Sequence, residues 1–295
     1  MNLKNEATVP VAKENASRCN QNAGIKSRML PVSTVSEMRR GHFKLNSVQL
    51  LPLAGIIATL LLWQVLISLH ILGKDFTEAF SPASTFSALF RLARNGELWH
   101  QAIPSLKRIA TGLSIATLGG FFTGIIIGIN RSAERFTYTT FQFIRMISPL
   151  AWMPIAIILW GIGDKPVFFL IVIAAVWPIV METHMGVRCV NPLWISVVRT
   201  LGGDKWQVLW KVIIPSVFPY VLTGLKMALG ISWIILVPAE MLGVSSGLGY
   251  YILDCRDRFS YDEMMAIIFV IGFIGLATDS TIGIILARFH RNRAE

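Results

Sequence analysis

Six long stretches almost free of charge decide what this chain can become. Leu50–Leu72, Ile109–Ile129 and Met146–Gly163 carry no Asp, Glu, Lys or Arg apart from Lys and Arg at their flanks. Pro166–Val187 carries only Glu182, Val212–Ala239 only Lys226, and Met264–Ala287 only Asp279. Each is close to the roughly 20 residues that cross a bilayer as a helix. Lipid offers no hydrogen bonds, so a spanning backbone must satisfy itself internally. The expected fold is therefore an all-α polytopic membrane protein with six transmembrane helices. Composition agrees: 15% of residues are charged, against about a quarter in a soluble domain.

Residues 1–46 are polar, with no apolar run, and read as a disordered cytoplasmic tail ahead of a membrane domain over 47–295. With the N-terminus inside, the cytoplasmic segments hold 17 Lys and Arg and the outer loops hold 8. Cytoplasmic loops carry the cationic excess, so both termini are expected in the cytoplasm. The net charge of +10 is then assigned to topology and anionic lipid, not to nucleic acid. Cys19, Cys189 and Cys255 show no CxxC and no metal spacing, and no disulfide framework is expected.

One stretch between two spans is neither apolar nor a plain loop. "RTLGGDKWQVLWKVIIP", Arg199–Pro215, mixes charge, tryptophan and a glycine pair. Asn191-Pro192 signals a helix start, and Gly202-Gly203 breaks that helix after Thr200-Leu201. Asp204 is placed to cap a second helix. Trp206, Leu209, Trp210 and Ile213 then fall at i, i+3, i+4, i+7, an apolar stripe, with Pro215 and Pro219 closing the helix. The expectation is a helical hairpin over 191–215 with an exposed aromatic face, suited to a partner protein or, on the plainer reading, to lying on lipid.

Gly202, Val212, Ile214 and Pro215 reproduce a spacing of Gly, nine residues, aliphatic, one residue, aliphatic, Pro. This resembles the EAA loop of permease subunits of bacterial ABC importers. The resemblance continues through "SPLAWMPIAIILWGIGDKP", "PYVLTGLKMALG", "AEMLGVSSGLGYYILD" and "IGFIGLATD". It covers about residues 99–289 and is similar to the nitrate/sulfonate/taurine branch. It implies a type I importer permease fold, a separate cytoplasmic ATPase, an extracytoplasmic solute-binding protein and a permease homodimer. It also implies that Ser196, Arg199, Thr200, Leu201, Gly202, Gly203, Trp206, Trp210, Val212, Ile214 and Pro215 couple to the ATPase. One departure stands out: the positions of Glu-Ala-Ala hold Ser196, Val197 and Val198. No P-loop pattern occurs, so ATP belongs to the partner and no cofactor is expected on this chain.

The remaining candidates concern a path across the membrane. Lys226, near the middle of a span, is expensive in lipid unless it faces a cavity or a partner such as Glu182 or Asp279. Arg145 sits at a span edge and reads as structural. Trp233 and Glu240 lie on the same span, and the family resemblance implies that Glu240 is near the outer gate. Gly247, Gly249 and Tyr250 read as a glycine-rich outer loop that closes the path. "GVSSG" formally matches a nucleophile elbow, but it follows a membrane helix and no histidine is positioned for it. Gly120, Gly124 and Gly128 form a small-residue ladder, expected to pack within the subunit. Residues 87–102 read as one outer-surface amphipathic helix. The leading expectation is an importer permease for a small oxyanion or sulfonate. Alternatives are a heterocyclic nutrient as substrate, a secondary transporter, an intramembrane hydrolase through Ser245, or a scaffold. The secondary transporter would show an internal repeat, and none is found.

Overall fold

The structure is a computed structural model that describes residues 80–291, together with scattered helical positions between Gly55 and Ile67. The expected tail and most of the first expected span lie outside the described residues. The chain divides into two compact units, Met1–Trp63 and Gln64–Glu295, and the helical bundle belongs to the second. Among the described residues it is all-helical.

The helices are α1 (Pro82–Arg94), α2 (Glu97–Ile129), α3 (Arg131–Met146) and α4 (Met153–Trp160), the last preceded by a 3₁₀ turn at Pro149–Trp152. Then come α5 (Asp164–Arg188), α6 (Pro192–Thr200), α7 (Lys205–Val208) and α8 (Ile214–Gly243), with a π turn at Leu209–Ile213 joining α7 to α8. The chain ends in α9 (Leu248–Asp257) and α10 (Tyr261–Arg291).

Central α5 packs along α2 on one side and α8 on the other. The α2 seam explains the glycine ladder. A Cβ at Gly112, Gly120, Gly124 or Gly128 would lie 2.6–2.8 Å from Ile171, Ile179, Thr183 or Val187, respectively. These partners also recur along one face of α5, so two rows of residues interdigitate and the backbones approach closely. The ladder thus packs inside the subunit, as expected. Gly112 extends it by two more turns. α3 buries none of its own residues. It is tied to α5 by Glu134, which pairs with Arg188 and lies 3.2 Å from His184, and by Phe141 against the Trp177 ring at 5.2 Å.

Two sequence expectations need correcting. Among the described residues, which leave out most of the first expected span, four helices are long and apolar enough to cross a membrane, or five if a bent pair counts as one. The bent pair is Arg131–Met146 with Pro149–Trp160, meeting at 83°, so the apolar run Met146–Gly163 is not one straight spanning helix but the short second arm of a bent pair. Pro149 and Pro154 cannot donate backbone hydrogen bonds, and Ile147 and Ser148 are extended, as residues before a proline tend to be. Residues 87–102 are two helices rather than one, because Asn95 ends α1 and Gly96 turns with φ of 79°. α2 begins at Glu97, so its polar first turns belong to the bundle rather than to a loop. Cys255 is free and buried.

Candidate functional site

Three features of the second unit carry functional residues: the hairpin, a polar knot at the opposite end of the bundle, and a cleft between them.

The hairpin forms for the reasons its sequence suggests. The Asn191 side chain accepts from the Leu193 amide at 2.9 Å and starts α6, and Asp204 accepts from the Lys205 amide at 2.6 Å and starts α7. Gly202 turns with φ of 78°, a conformation that costs a side chain dearly. A Cβ on Gly203 would lie 2.5 Å from Val198, so the two helices also need a glycine to close. Under the turn is a small core of Val208, Ile213, Val217 and Val221, packed by Ile195, Val198 and Val187. Val212 is buried as well, while Ile214 is half-buried and Pro215 exposed.

The expected stripe of Trp206, Leu209, Trp210 and Ile213 is split. Ile213 is in the core, whereas Trp206 and Trp210 are 65% and 63% exposed. The reason is the π turn, which adds a residue to the turn and rotates the chain beyond it. For the same reason Pro215 and Pro219 close nothing: α7 runs on through the turn into α8. The outward apolar face comprises Leu193, Trp194, Val197, Leu201, Trp206 and Trp210. Trp194 is an addition to the residues expected from sequence, although it follows the Asn-Pro start directly. Ser196, Arg199 and Thr200 lie on α6 between these residues, and all three are exposed.

At the opposite end, Glu240 is entirely buried and fully engaged. Arg108 Nη1 donates to Oε1 at 2.7 Å, the Ser105 hydroxyl lies 2.8 and 2.9 Å from the two oxygens, and the Gly249 amide donates to Oε2 at 2.9 Å. Arg108 also donates to Asp164 at 2.8 Å and to the Ser246 carbonyl at 2.7 Å. Gly247 donates its amide to Gln101 and Leu248 donates to Ser105, at 2.8 and 2.9 Å. The free amides that open α9 are thus satisfied by a polar stripe on α2 and one carboxylate on α8. Gly247, at φ of 114°, leaves room for Arg108 and Glu240, both 2.5 Å from where its Cβ would stand. A Cβ on Gly249 would land on the Val237 carbonyl. Tyr250 is half-buried on α9.

The knot thus joins Glu240, Gly247 and Gly249, and adds Gln101, Ser105, Arg108 and Asp164, which were not among the expected site residues. Their signal is present in the sequence: Gln101, Ser105 and Arg108 recur at i, i+4, i+7 just ahead of the second apolar run.

The cleft has a volume of ≈ 500 Å³ and is lined by Arg145, Trp177, Met181, Glu182 and, from α8, Met227, Ile231 and Ile235. Lys226 and Trp233 are not among its lining residues. Lys226 Nζ lies 3.3 Å from Asp279 on α10, and the Trp233 indole donates to Thr278 at 3.2 Å, also on α10. One residue step turns a helix by about 100°, so Lys226 and Met227 face different neighbours.

The bundle thus carries a projecting helical hairpin at one end and a closed polar knot at the other. Residues 116–294, more than half of the chain, match the family described as "Binding-protein-dependent transport system inner membrane component". The chain belongs to this family of ABC importer permeases. It is 36% identical over 260 residues to the bicarbonate transport system permease protein CmpB of Synechococcus elongatus, covering 84% of this chain and 91% of that one. It is 35% identical over 191 residues to the nitrate import permease protein NrtB of Leptolyngbya laminosa, 65% of this chain and 68% of the other. The taurine transport system permease protein TauC of Escherichia coli is 31% identical over 226 residues, 75% and 82% of the two chains. The crystal structure of an amino acid ABC transporter with histidines matches with a TM-score of 0.52 at 16% identity, covering 69% of this chain and 98% of its own. At that identity the likeness concerns the fold, which is that of a type I importer permease. The chain is accordingly a multi-pass protein of the inner membrane and not itself an enzyme. The ATPase is a separate subunit, and a solute-binding protein is the other partner.

Proposed function

We propose that this chain is the membrane subunit of an ATP-driven importer for a small anion, of the kind named in its bicarbonate, nitrate and taurine relatives. The observation that carries the mechanism is the hairpin 191–215. A segment with two capped helices, its own small core and six large apolar side chains turned outward is built to be covered. Its occupant is the ATPase, which holds the ATP; no cofactor is assigned to this chain. Trp194, Trp206 and Trp210 anchor the contact. Ser196, Arg199, Thr200 and Leu201 form its α6 side, while Gly202 and Gly203 shape the turn. Val212, Ile214 and Pro215 pass the motion into α8, because the helix runs unbroken from the hairpin to Glu240. At the far end Glu240, Gly247, Gly249 and Tyr250 close the path on the outer side, facing the solute-binding protein.

Both termini are cytoplasmic on this reading, and two copies of the permease pair in the lipid. The test is uptake of labelled bicarbonate, nitrate and taurine by cells expressing the permease with its ATPase and binding protein. Uptake of at least one anion that stops when the ATPase is inactivated is expected. Uptake independent of the ATPase would return the chain to the secondary transporters. Thiol labelling of cysteines placed near Gly247 from outside, and near Gly202 only after permeabilisation, is expected in the same cells.

A further inference from the structure

Arg145 stands at the end of α3 and lines the cleft, yet among the described residues its side chain makes no hydrogen bond or ion pair. Its side chain is exposed in the single chain, and the neighbours with which it shares the cleft make this unusual. The residues that share the cleft with it are Ala174, Trp177 and Pro178, from the middle of 25-residue α5, and Ile231 and Ile235, from the middle of 30-residue α8. An ionised group at mid-depth is costly unless it meets a counter-charge or a water-filled path. Another intramembrane cation, Lys226, has its counter-charge in Asp279. Among the described residues Arg145 has no carboxylate at ion-pair distance, although Glu182 lines the same cleft.

The last turn of α3 offers a partial explanation, since the negative end of a helix dipole favours a cation. That effect holds the charge but leaves all five guanidinium donors unspent. The position is also fixed from elsewhere: Glu134 with Arg188 and His184, and Phe141 with Trp177, hold α3 along α5 so that its end opens into the cleft.

Resting on the anion reading of the importer, we propose that Arg145 contacts the transported anion and that the ligand is a small oxyanion taken by its planar guanidinium. A guanidinium presents two parallel donors to two oxygens of a carboxylate-like or trigonal anion, which an ammonium cannot. The Trp177 and Met181 side chains supply apolar walls, which strengthen the contact by excluding water. Glu182, in the same cleft, carries the opposite charge. Its presence keeps the cleft from becoming a trap, since a path must bind weakly enough to release.

The experiment uses cells carrying the full importer, with Arg145→Met, Arg145→Gln and Arg145→Lys, and labelled bicarbonate, nitrate and taurine as probes. Assembly is followed by co-purification with the ATPase, and coupling by the stimulation of hydrolysis by the liganded binding protein. Arg145→Met and Arg145→Gln are expected to lower maximal uptake about tenfold or more, the scale of a lost charge-assisted hydrogen bond, with assembly and stimulated hydrolysis within about twofold of wild type. Arg145→Lys should fall between. Wild-type uptake in Arg145→Met overturns the contact and leaves the importer reading standing. Loss of assembly in all three variants overturns it too, in favour of a structural cation. A wild type that carries none of the three anions, while its ATPase is still stimulated by the binding protein, defeats the anion reading and the contact together.

Discussion

The two ends of the bundle are built on opposite principles. The hairpin end turns tryptophan and leucine outward over a core of a few valines and isoleucines. The α9 end turns charge inward: a wholly buried carboxylate, a guanidinium only 4% exposed, and amides from three successive residues that all find partners. An exposed apolar face is incomplete until something covers it, whereas a satisfied buried network is complete within the chain. The contrast separates a surface kept for a partner from a joint that must hold or release as a unit. α8 links the two, carrying Ile214 at one end and Glu240 at the other.

Breaking the buried end should have the largest effect. Arg108→Ala strands the Glu240 carboxylate, and Glu240→Ala strands the guanidinium. Removing one partner of a buried ion pair costs about 3–5 kcal/mol. Each is expected to lower the melting temperature of the detergent-purified permease markedly. The double variant should recover part of the loss, because it leaves no lone charge behind. A single variant as stable as wild type would show that the knot contributes little.

At the hairpin end the order of effects reverses. Trp206→Ala with Trp210→Ala should leave the melting temperature of the isolated permease nearly unchanged, since both rings already face outward. Truncating an interface anchor costs about 2 kcal/mol or more, so affinity for the ATPase should fall at least about 30-fold in a pull-down titration. Gly202→Val belongs between the ends: it strains the turn by about 1–3 kcal/mol and should uncouple hydrolysis from uptake while insertion survives. If the tryptophan pair destabilises the permease as much as the Arg108 variant does, the two ends do not differ as described.

The smallest effect concerns Cys255 on α9, beside the knot. Burial, with the Glu263 carboxylate adding to it, pushes this thiol up to about 12. Because the folded value is raised, the thiol stays neutral at mildly alkaline pH, where a free thiol of pKa about 8.5 already ionises. Iodoacetamide at about that pH is therefore expected to leave Cys255 unmodified until denaturant is added. Rapid alkylation of the native protein would mean that the α9 end opens readily.

Much of the hairpin is legible in the residues themselves. Asn191, Gly202 and Asp204 are local signals: a capping side chain and a left-handed turn act on their near neighbours in the chain. The family resemblance is likewise legible in short ordered motifs. The path is not. Within its own apolar run Lys226 looks exceptional and Arg145 looks like an edge residue. Yet Lys226 finds Asp279 across the bundle, and Arg145, in the last turn of α3, lines the cleft beside α5 and α8. The same limit hides the knot. Arg108 and Lys107 count as outer-loop cations when the apolar run is taken to start at Ile109, but α2 begins at Glu97 and buries Arg108.

The residues alone therefore settle the solvent and the local geometry. Uncharged runs require a bilayer and helices, glycines spaced by four allow close approach, and caps and breakers mark the hairpin. All of these act through hydrogen bonding and sterics within a turn or two of the chain. The pairing needed the packed bundle: Glu240 with Arg108, Lys226 with Asp279, and Arg145 with an open cleft. Glu240 and Arg108 are 132 residues apart in the chain, and a single step along a helix turns a side chain by about 100° toward a different neighbour. The cost or use of a buried charge depends on that neighbour, and which neighbour it meets is set by how the helices pack.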